Sequence, residues 1–542
     1  MLALVVTGPL LAPGYLLLRD AVSTPRSYLS DAALGLSAAA PRALPQDFAV
    51  ALASRILDGG IVVKTLLVAG LWLAGWGSAR LARVVLPAAG APGQFVAATL
   101  AVWNPYVAER LLQGHWSLLV GYGCLPWVAA TVLRMRAART APLWVEIGAL
   151  TFWTALAGLT PTGLLLAATV AVVCALGPGA GRSRWLCAGA GVGTAILAAL
   201  PWLTAAAVSG SLSPSQAEGV PAFAARAEPG LGALGSMASL GGIWNAEAVP
   251  ASRTTLFVVL AAAVLLGVVL AGLPVAARSP AAVPLLILAA VAVAVPTLMA
   301  TGPGLSLVEA TVRALPGLGV VRDAQKWVAL AVPGYALSAA AAVLTLRRWI
   351  PAATTAAVCA LALVATLPDL AWGVGGKVVA VQYPPGWAAA AATINADPRP
   401  VAVLPAGSMR QFGWAGDAPV LDPLPRWVRA DVLTTGDLTI SGRLVPGEGG
   451  RARDIERMLA AGADRDALAD AGVGWLVVES GDDVTVTRIG GAQAGAHHRP
   501  LMLAVHGVWL AMLVAGGAIV LVGRLRRRGP LTGTPDDMTL PA

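Results

Sequence analysis

The strongest constraint on this chain is a succession of apolar runs, each close to the length that crosses a bilayer. A spanning helix needs about 20 apolar residues. About twelve such runs follow one another, near 2–18, 61–82, 94–112, 116–134, 143–160, 163–177, 184–207, 254–274, 281–300, 328–346, 350–368 and 501–523. Over the 542 residues 57% are hydrophobic and only 12% charged, where a soluble domain carries about a quarter charged. The expected fold is therefore a polytopic α-helical membrane protein with about 12 transmembrane helices. The 61 Gly and 39 Pro do not signal disorder, since both residues are commoner in membrane helices than in soluble ones.

The net charge of +9 does not point to a nucleic acid, because the basic residues sit in short connections between runs. Arg80 and Arg83 follow the second run, Arg134, Arg136 and Arg139 the fourth, and Arg182 and Arg184 the sixth. Arg278 follows the eighth, Arg347 and Arg348 the tenth, and Arg524, Arg526, Arg527 and Arg528 the twelfth. Every even-numbered run thus exits into a basic connection, as cytoplasmic loops require. This predicts a multi-pass membrane protein with both termini cytoplasmic. Met1 to Leu18 lacks a basic start and a cleavage site, and reads as an uncleaved first span.

Four regions follow: a multi-span membrane domain over 1–368 with a long first outer loop at 19–60, a segment at 369–500, a last span at 501–523 and a cytoplasmic basic tail at 524–542. Within the first loop, residues 45–57 read as an amphipathic helix with Phe48, Leu52 and Ile56 on one face, of the kind that lies in the membrane interface. Segment 369–500 alone has ordinary soluble composition. Helices at 387–394, 454–461 and 465–471 and strands at 400–404 and 472–478 predict a small extracytoplasmic α/β domain before the last helix. It carries neither a Gly-rich phosphate loop nor a Ser/His/Asp or Cys/His set. The four Cys and four His have no disulfide or metal spacing.

Polar clusters near membrane depth mark functional sites. The densest is Trp103-Asn104-Pro105-Tyr106-Val107-Ala108-Glu109-Arg110-Leu111-Leu112-Gln113-Gly114-His115-Trp116. Asn104-Pro105 interrupts the third run and frees backbone carbonyls, which survive only against protein or a water-filled cavity. Asn104, Glu109, Arg110 and His115 are the expected lining of such a cavity, or else interfacial anchors and lipid contacts. Arg19-Asp20 ends the first run. Asp20 is placed to act as a general base on a hydroxyl, or is an ordinary helix-end charge. In Arg322-Asp323-Ala324-Gln325-Lys326-Trp327 two cations stand at i and i+4 on a side that normally lacks them, and a shared helix face would suit a phosphate. Gln325 joins the candidate lining. So does Trp244 of the Gly241-Gly242-Ile243-Trp244 turn, which reads equally as a plain re-entrant turn.

The Arg19-Asp20 end of the first run, the amphipathic first-loop helix, Asn-Pro-Tyr-Val-Ala-Glu-Arg-Leu and Arg-Asp-Ala-Gln-Lys-Trp together resemble the GT-C superfamily of integral membrane glycosyltransferases. The likeness is to the membrane part of cell-wall arabinofuranosyltransferases and related membrane proteins, and it covers the layout of residues 1–370. The resemblance implies inverting transfer of a hexosyl or pentosyl group on the outer face. The donor would be a polyprenyl-phosphate sugar and the acceptor a cell-envelope glycan or glycolipid. It places Asp20 as the base with Glu109 as fallback, Arg322 and Lys326 on the donor phosphate, and Glu109, Arg110 and His115 in the pocket. The paired acids of many members are absent here, since Arg19 stands beside Asp20 and Asp31 lies further on. A divalent cation on Asp20 and Asp31 is left open, and no other cofactor is implied. Two alternatives remain: a non-catalytic envelope assembly scaffold, and a lipid-linked-sugar transporter. A transporter would be expected to carry midplane charges, and apart from Glu109 of the polar cluster Glu146 is the only acid inside a run.

Overall fold

The computed structural model describes all residues except 38–42, 138–141, 209–216, 218, 316–317, 441, 492–495 and 528–542. Arg139 and most of the basic tail fall outside the described residues.

Among those described, six helices are long and apolar enough to cross a membrane: Gly59–Val85, Trp116–Ala137, Arg184–Val208, Phe257–Ala276, Ala324–Leu346 and Arg499–Arg526. Two bent pairs raise the count to eight if each is one span: Val283–Met299 with Gly302–Ala314, bent by 92°, and Ala352–Ala365 with Pro368–Gly376, bent by 77°. This count does not reach the expected twelve. Four runs fall short for local reasons. Residues 2–18 form a helix Leu2–Thr7, a 3-10 turn Gly8–Leu11 and a strand Tyr15–Leu18, because Pro9, Pro13 and Gly14 stop the helix. The third run stops at Val102 after 13 helical residues. The helices Leu143–Ala157 and Pro161–Leu176 hold 15 and 16 residues and are parted by Gly158 and the Thr160-Pro161 start signal. Arg19 and Asp20 consequently do not cap a span.

Trp116–Ala137 is the central helix, buried along its whole apolar window. Glycines let its neighbour Gly59–Val85 approach. A Cβ at Gly70 would lie 2.9 Å from Val120 Cα, and one at Gly123 would lie 2.2 Å from the Gly70 carbonyl oxygen. Small residues at such crossings are what packing within lipid demands, since no hydrophobic effect separates helix from tail there.

The first-loop helix runs Gln46–Ala53, shorter than expected, and Ile56 lies beyond it and exposed. Phe48 is buried, its ring 4.6 Å from His506 and 6.5 Å from Trp509 of the last helix. The soluble stretch folds much as its pattern predicts, with helices Pro385–Ala396, Gly450–Ala460 and Arg465–Asp470. Strand Trp475–Ser480 pairs in parallel with Val401–Leu404 and antiparallel with Asp483–Arg488. The stretch also reaches back to the chain's start. Ala380–Val381 and Ala21–Val22 flank Tyr15–Leu18 in one antiparallel sheet, and the backbone of Arg19 donates to Pro419 and accepts from Leu421.

Candidate functional site

Asn104 organises the densest polar stretch. Its side chain accepts from Val107 N–H at 3.2 Å as an N-cap, with Pro105 at the first helical position, the arrangement expected of a helix start. Its amide donates back to the carbonyls of Leu100 and Ala101, at 2.9 and 3.2 Å. The carbonyls freed by the break are thus satisfied by the residue that causes it. The short helix Pro105–Leu112 that follows is buried throughout.

That helix carries two charges. Glu109 accepts from the backbone N–H groups of Gly242 and Ile243, each at 3.1 Å, and from Gln325 Nε2 at 3.0 Å. Burial and the nearby Glu228 carboxylate push its carboxyl up, against the pull of Arg253, Arg110 and the Gly242 N–H. Arg110 grips Asp323 with two bonds, at 2.9 and 3.1 Å, and also donates to Gln325. This is the planar two-pronged geometry that favours Arg in buried pairs. The Arg110 and Lys326 charges overcome the burial penalty and hold the Asp323 carboxyl well below the usual carboxylate range.

The segment after Asp323 departs from expectation. Ala324–Ala331 is a 3-10 helix, so Arg322 and Lys326 do not share an α-helical face. A 3-10 helix eclipses i and i+3, and the pair it forms is Lys326 with Asp323, at 3.6 Å. Arg322 instead lies over the Phe223 ring, 4.2 Å from its centroid, and Phe223 packs edge-on against Trp244 at 4.8 Å.

Asp20 enters from a hairpin. Leu18 faces Ala21 across a two-residue tip, with Arg19 at φ 48°. Such φ values disfavour side chains and are usually met by Asn or Gly. Arg19 is held there from both sides, its guanidinium donating to the carbonyls of Leu112 at 2.7 Å and Glu247 at 3.0 Å. The tip lands on Gly114, where a Cβ would lie 2.3 Å from both the Leu18 oxygen and the Ala21 nitrogen. With φ +82° as well, only glycine fits that contact.

The landing places Asp20 Oδ2 at 3.0 Å from His115 Nε2 and at 3.0 Å from Gln113 Nε2. His115 Nδ1 lies 3.1 Å from Arg110 Nη1. Since Arg can only donate, Nδ1 accepts and Nε2–H donates to Asp20, which fixes the neutral tautomer. Burial of Asp20 opposes ionisation, but the bonds from His115 and Gln113 and the Lys326 charge prevail, and its carboxyl lies below the ordinary range. Burial likewise holds His115 below the usual imidazole range.

The polar residues form two layers. Asn104, Glu109, Arg110 and Gln325 expose no surface, so they support the site instead of lining an opening as expected. Asp20 and His115 expose 37% and 16% of their side chains and Lys326 exposes 23%, while Arg322 and Trp244 are half-buried. Among the described residues, Lys326 Nζ has one ion pair and no hydrogen bond, which leaves donors for a ligand. Sequence reasoning passed over Asp323 and Gln113 as site members. The i,i+3 spacing of Asp323 to Lys326 was the available signal for the first; nothing local marks the second. Asp31 does not join Asp20 and bonds Arg499 instead. Among the described residues no three His, Cys, Asp or Glu side chains gather to hold a metal ion, so Asp20 and Asp31 do not fit a shared divalent cation.

No protein-family model matches the chain, and no curated protein does. A solved structure does. The cryo-EM structure of the arabinofuranosyltransferase AftD from Mycobacteria aligns with 88% of this chain at TM-score 0.54 and 19% identity. At that identity the likeness is one of fold: the chain has an AftD-like, mostly helical membrane fold. The resemblance expected from the short motifs is therefore present at the level of the fold. A mutant AftD structure aligns with 90% of the chain at TM-score 0.48 and 18% identity. This chain covers 35% of AftD's length. In the AftD-like frame, the polar layers stand where the central helix begins, at Trp116, and where the Gly90–Val102 helix ends.

Proposed function

We propose that this chain is an inverting membrane glycosyltransferase that moves a sugar from a polyprenyl-phosphate donor to an envelope glycan or glycolipid. The observation that carries the proposal is the Asp20 carboxylate. Its carboxyl is held below the ordinary range, oriented by two hydrogen bonds and partly open to solvent, beside a lysine with donor capacity to spare.

Each group then has a task. Asp20 accepts the proton of an acceptor hydroxyl as that oxygen attacks the anomeric carbon. The bond from that carbon to the phosphate oxygen breaks, and the polyprenyl phosphate leaves with the electron pair. Lys326, with Arg322 at the rim, neutralises the charge that develops on the leaving phosphate. His115 holds Asp20 in place from behind, and its neutral form adds no charge that would compete for the base. Glu109 is engaged by three donors and is a structural anchor in this reading, not the base. The site and the 369–500 module face outward across a bacterial plasma membrane, and the residues after the last span are cytoplasmic.

The test is a transfer assay on the purified chain with polyprenyl-phosphate pentoses and hexoses. Release of polyprenyl phosphate and a product of opposite anomeric configuration are expected. Retention of configuration would overturn the mechanism. Binding of the sugar lipid without any turnover would favour a scaffold or transporter.

A further inference from the structure

The loop that carries Trp244 reaches the Asp20 hairpin through two amide side chains. Asn245 caps the short 3-10 turn Ala246–Ala248, its Oδ1 accepting from the Glu247 N–H at 3.1 Å. Its Nδ2 donates to Gln113 Oε1 at 2.8 Å, and Gln113 Nε2 donates to Asp20 Oδ2 at 3.0 Å. Main-chain contacts run beside this chain. The Asp20 N–H donates to the Gln113 carbonyl at 3.2 Å. Arg19 donates to the Glu247 carbonyl, and its guanidinium lies 3.7 Å from the Glu247 carboxylate. The 245–248 turn and the hairpin tip are thus joined twice, once through Gln113 and once through Arg19.

The amide chain has one direction. A backbone N–H can only donate, so Asn245 turns its oxygen to Glu247 and keeps its NH2 group for Gln113. Gln113 must then give its oxygen to Asn245 and its NH2 group to Asp20. A carboxylate can only accept, so the two ends agree. Neither amide can turn over without losing a bond at each of its ends. Hydrogen bonds aligned head to tail also polarise one another, which strengthens the donor at Asp20. The loop is fixed further back as well. Gly242 and Ile243 donate to the Glu109 carboxylate, and the Gln113 N–H bonds the Glu109 carbonyl at 2.9 Å. Residues 242–245 are therefore held along the end of the helix Pro105–Leu112 at two points one turn apart. The charged and titratable groups around Asp20 are His115, Lys326 and Arg19. Lys326 also faces Asp323, and Arg19 faces Glu247. Unlike any of these, the Gln113 amide donates at every pH.

We propose that Gln113 and Asn245 are positioning residues for the Asp20 carboxylate, Gln113 by direct contact and Asn245 by fixing which way the Gln113 amide faces. Their value to transfer rests on the reading of Asp20 as the base; the amide chain itself does not. Asn245 touches neither Asp20 nor the proposed substrates, and acts only through Gln113.

The test reads the pH at which Asp20 protonates, by infrared difference spectroscopy of the full chain in detergent, from the carboxyl band that Asp20→Asn abolishes. Gln113→Met, close in size and without a donor, should raise that pH by about one unit, the scale of one hydrogen bond to a charged group. Asn245→Asp keeps an acceptor for the Glu247 N–H, and Asp caps a turn as well as Asn does. It offers Gln113 no donor, so the Gln113 amide turns over and its oxygen faces Asp20. The rise should match or exceed that of Gln113→Met. Asn245→Ala leaves the amide free to keep its donor on Asp20 and should shift the pH less. In the Gln113→Met background Asn245→Asp should add little, which separates the amide chain from the charge of the new carboxylate. A merely structural Asn245 would make the alanine variant the worse one, and that result would overturn the proposal. So would an unmoved pH in Gln113→Met, or a full Asn245→Asp shift in its background. The acid limb of the transfer rate should move in parallel, with donor affinity unchanged. Band shifts as stated without any transfer in wild type would uphold the amide chain and overturn Asp20 as the base.

Discussion

Asp20 and His115 are coupled through one hydrogen bond. The bonds from His115 and Gln113 hold the Asp20 carboxyl below its ordinary range, while burial, against the pull of Asp20, holds the His115 imidazole below its own. The sign follows directly. A depressed carboxyl keeps its charge as pH falls, so transfer should persist down to below the ordinary Asp value of about 3.9, provided the fold survives. His115→Ala removes the largest contribution that lowers Asp20, and the acid limb of the rate profile should move up in pH. An unmoved limb would mean that another group sets it. Arg110 is the other decisive residue. Replacing it with Met leaves the buried Asp323 with Lys326 alone, at 3.6 Å, as its ion-pair partner, a loss of up to about 3–5 kcal/mol, visible as a large drop in unfolding temperature in detergent. Adding Asp323→Leu should return much of that loss. If the double variant is no better than the single, the pair is not what Arg110 contributes.

At the scale of elements, the site rests on one contact between two turns. The hairpin tip at Arg19 and Asp20 meets the Gln113-Gly114-His115 turn at a distance that admits no Cβ. Gly114→Ala should therefore push the hairpin off, separate Asp20 from His115 and cut transfer by about 10²-fold or more, the scale of a lost general base. Helix content and membrane insertion should stay as they are, and circular dichroism with an insertion assay checks both. Much of this element layer was legible in the sequence. Asn104-Pro105 reads as a break because Pro cannot continue a helix and Asn caps the next one. Helices Pro385–Ala396, Gly450–Ala460 and Arg465–Asp470 follow from their patterns. Residues 2–18 misled because an apolar run records composition, whereas Pro9, Pro13 and Gly14 set the backbone. Arg322 and Lys326 misled for a similar reason. Their spacing implies a shared face only if the segment is α-helical, and it is 3-10.

The whole molecule brings together what the sequence keeps far apart. Asp20, His115 and Lys326 come from three separate segments, and Gln113 joins Asp20 only because a hairpin from the first loop lands there. Segment 369–500 matters to this arrangement through the Arg19 bonds to Pro419 and Leu421, which tie the base's turn to the soluble module. No periodicity in the sequence encodes such a contact. The orientation of the molecule is testable with reporter fusions: one at Arg182 should read cytoplasmic and one at Gly447 external. The reverse would place the site on the side that lacks the proposed substrates.

The most direct measurement of the central claim is single-turnover transfer from a polyprenyl-phosphate sugar by wild type, Asp20→Asn and Lys326→Ala, with donor binding measured in parallel. Asp20→Asn should bind donor normally and lose about 10²–10⁴-fold in rate, while Lys326→Ala should lose both binding and rate. Transfer at the wild-type rate by Asp20→Asn would contradict the account.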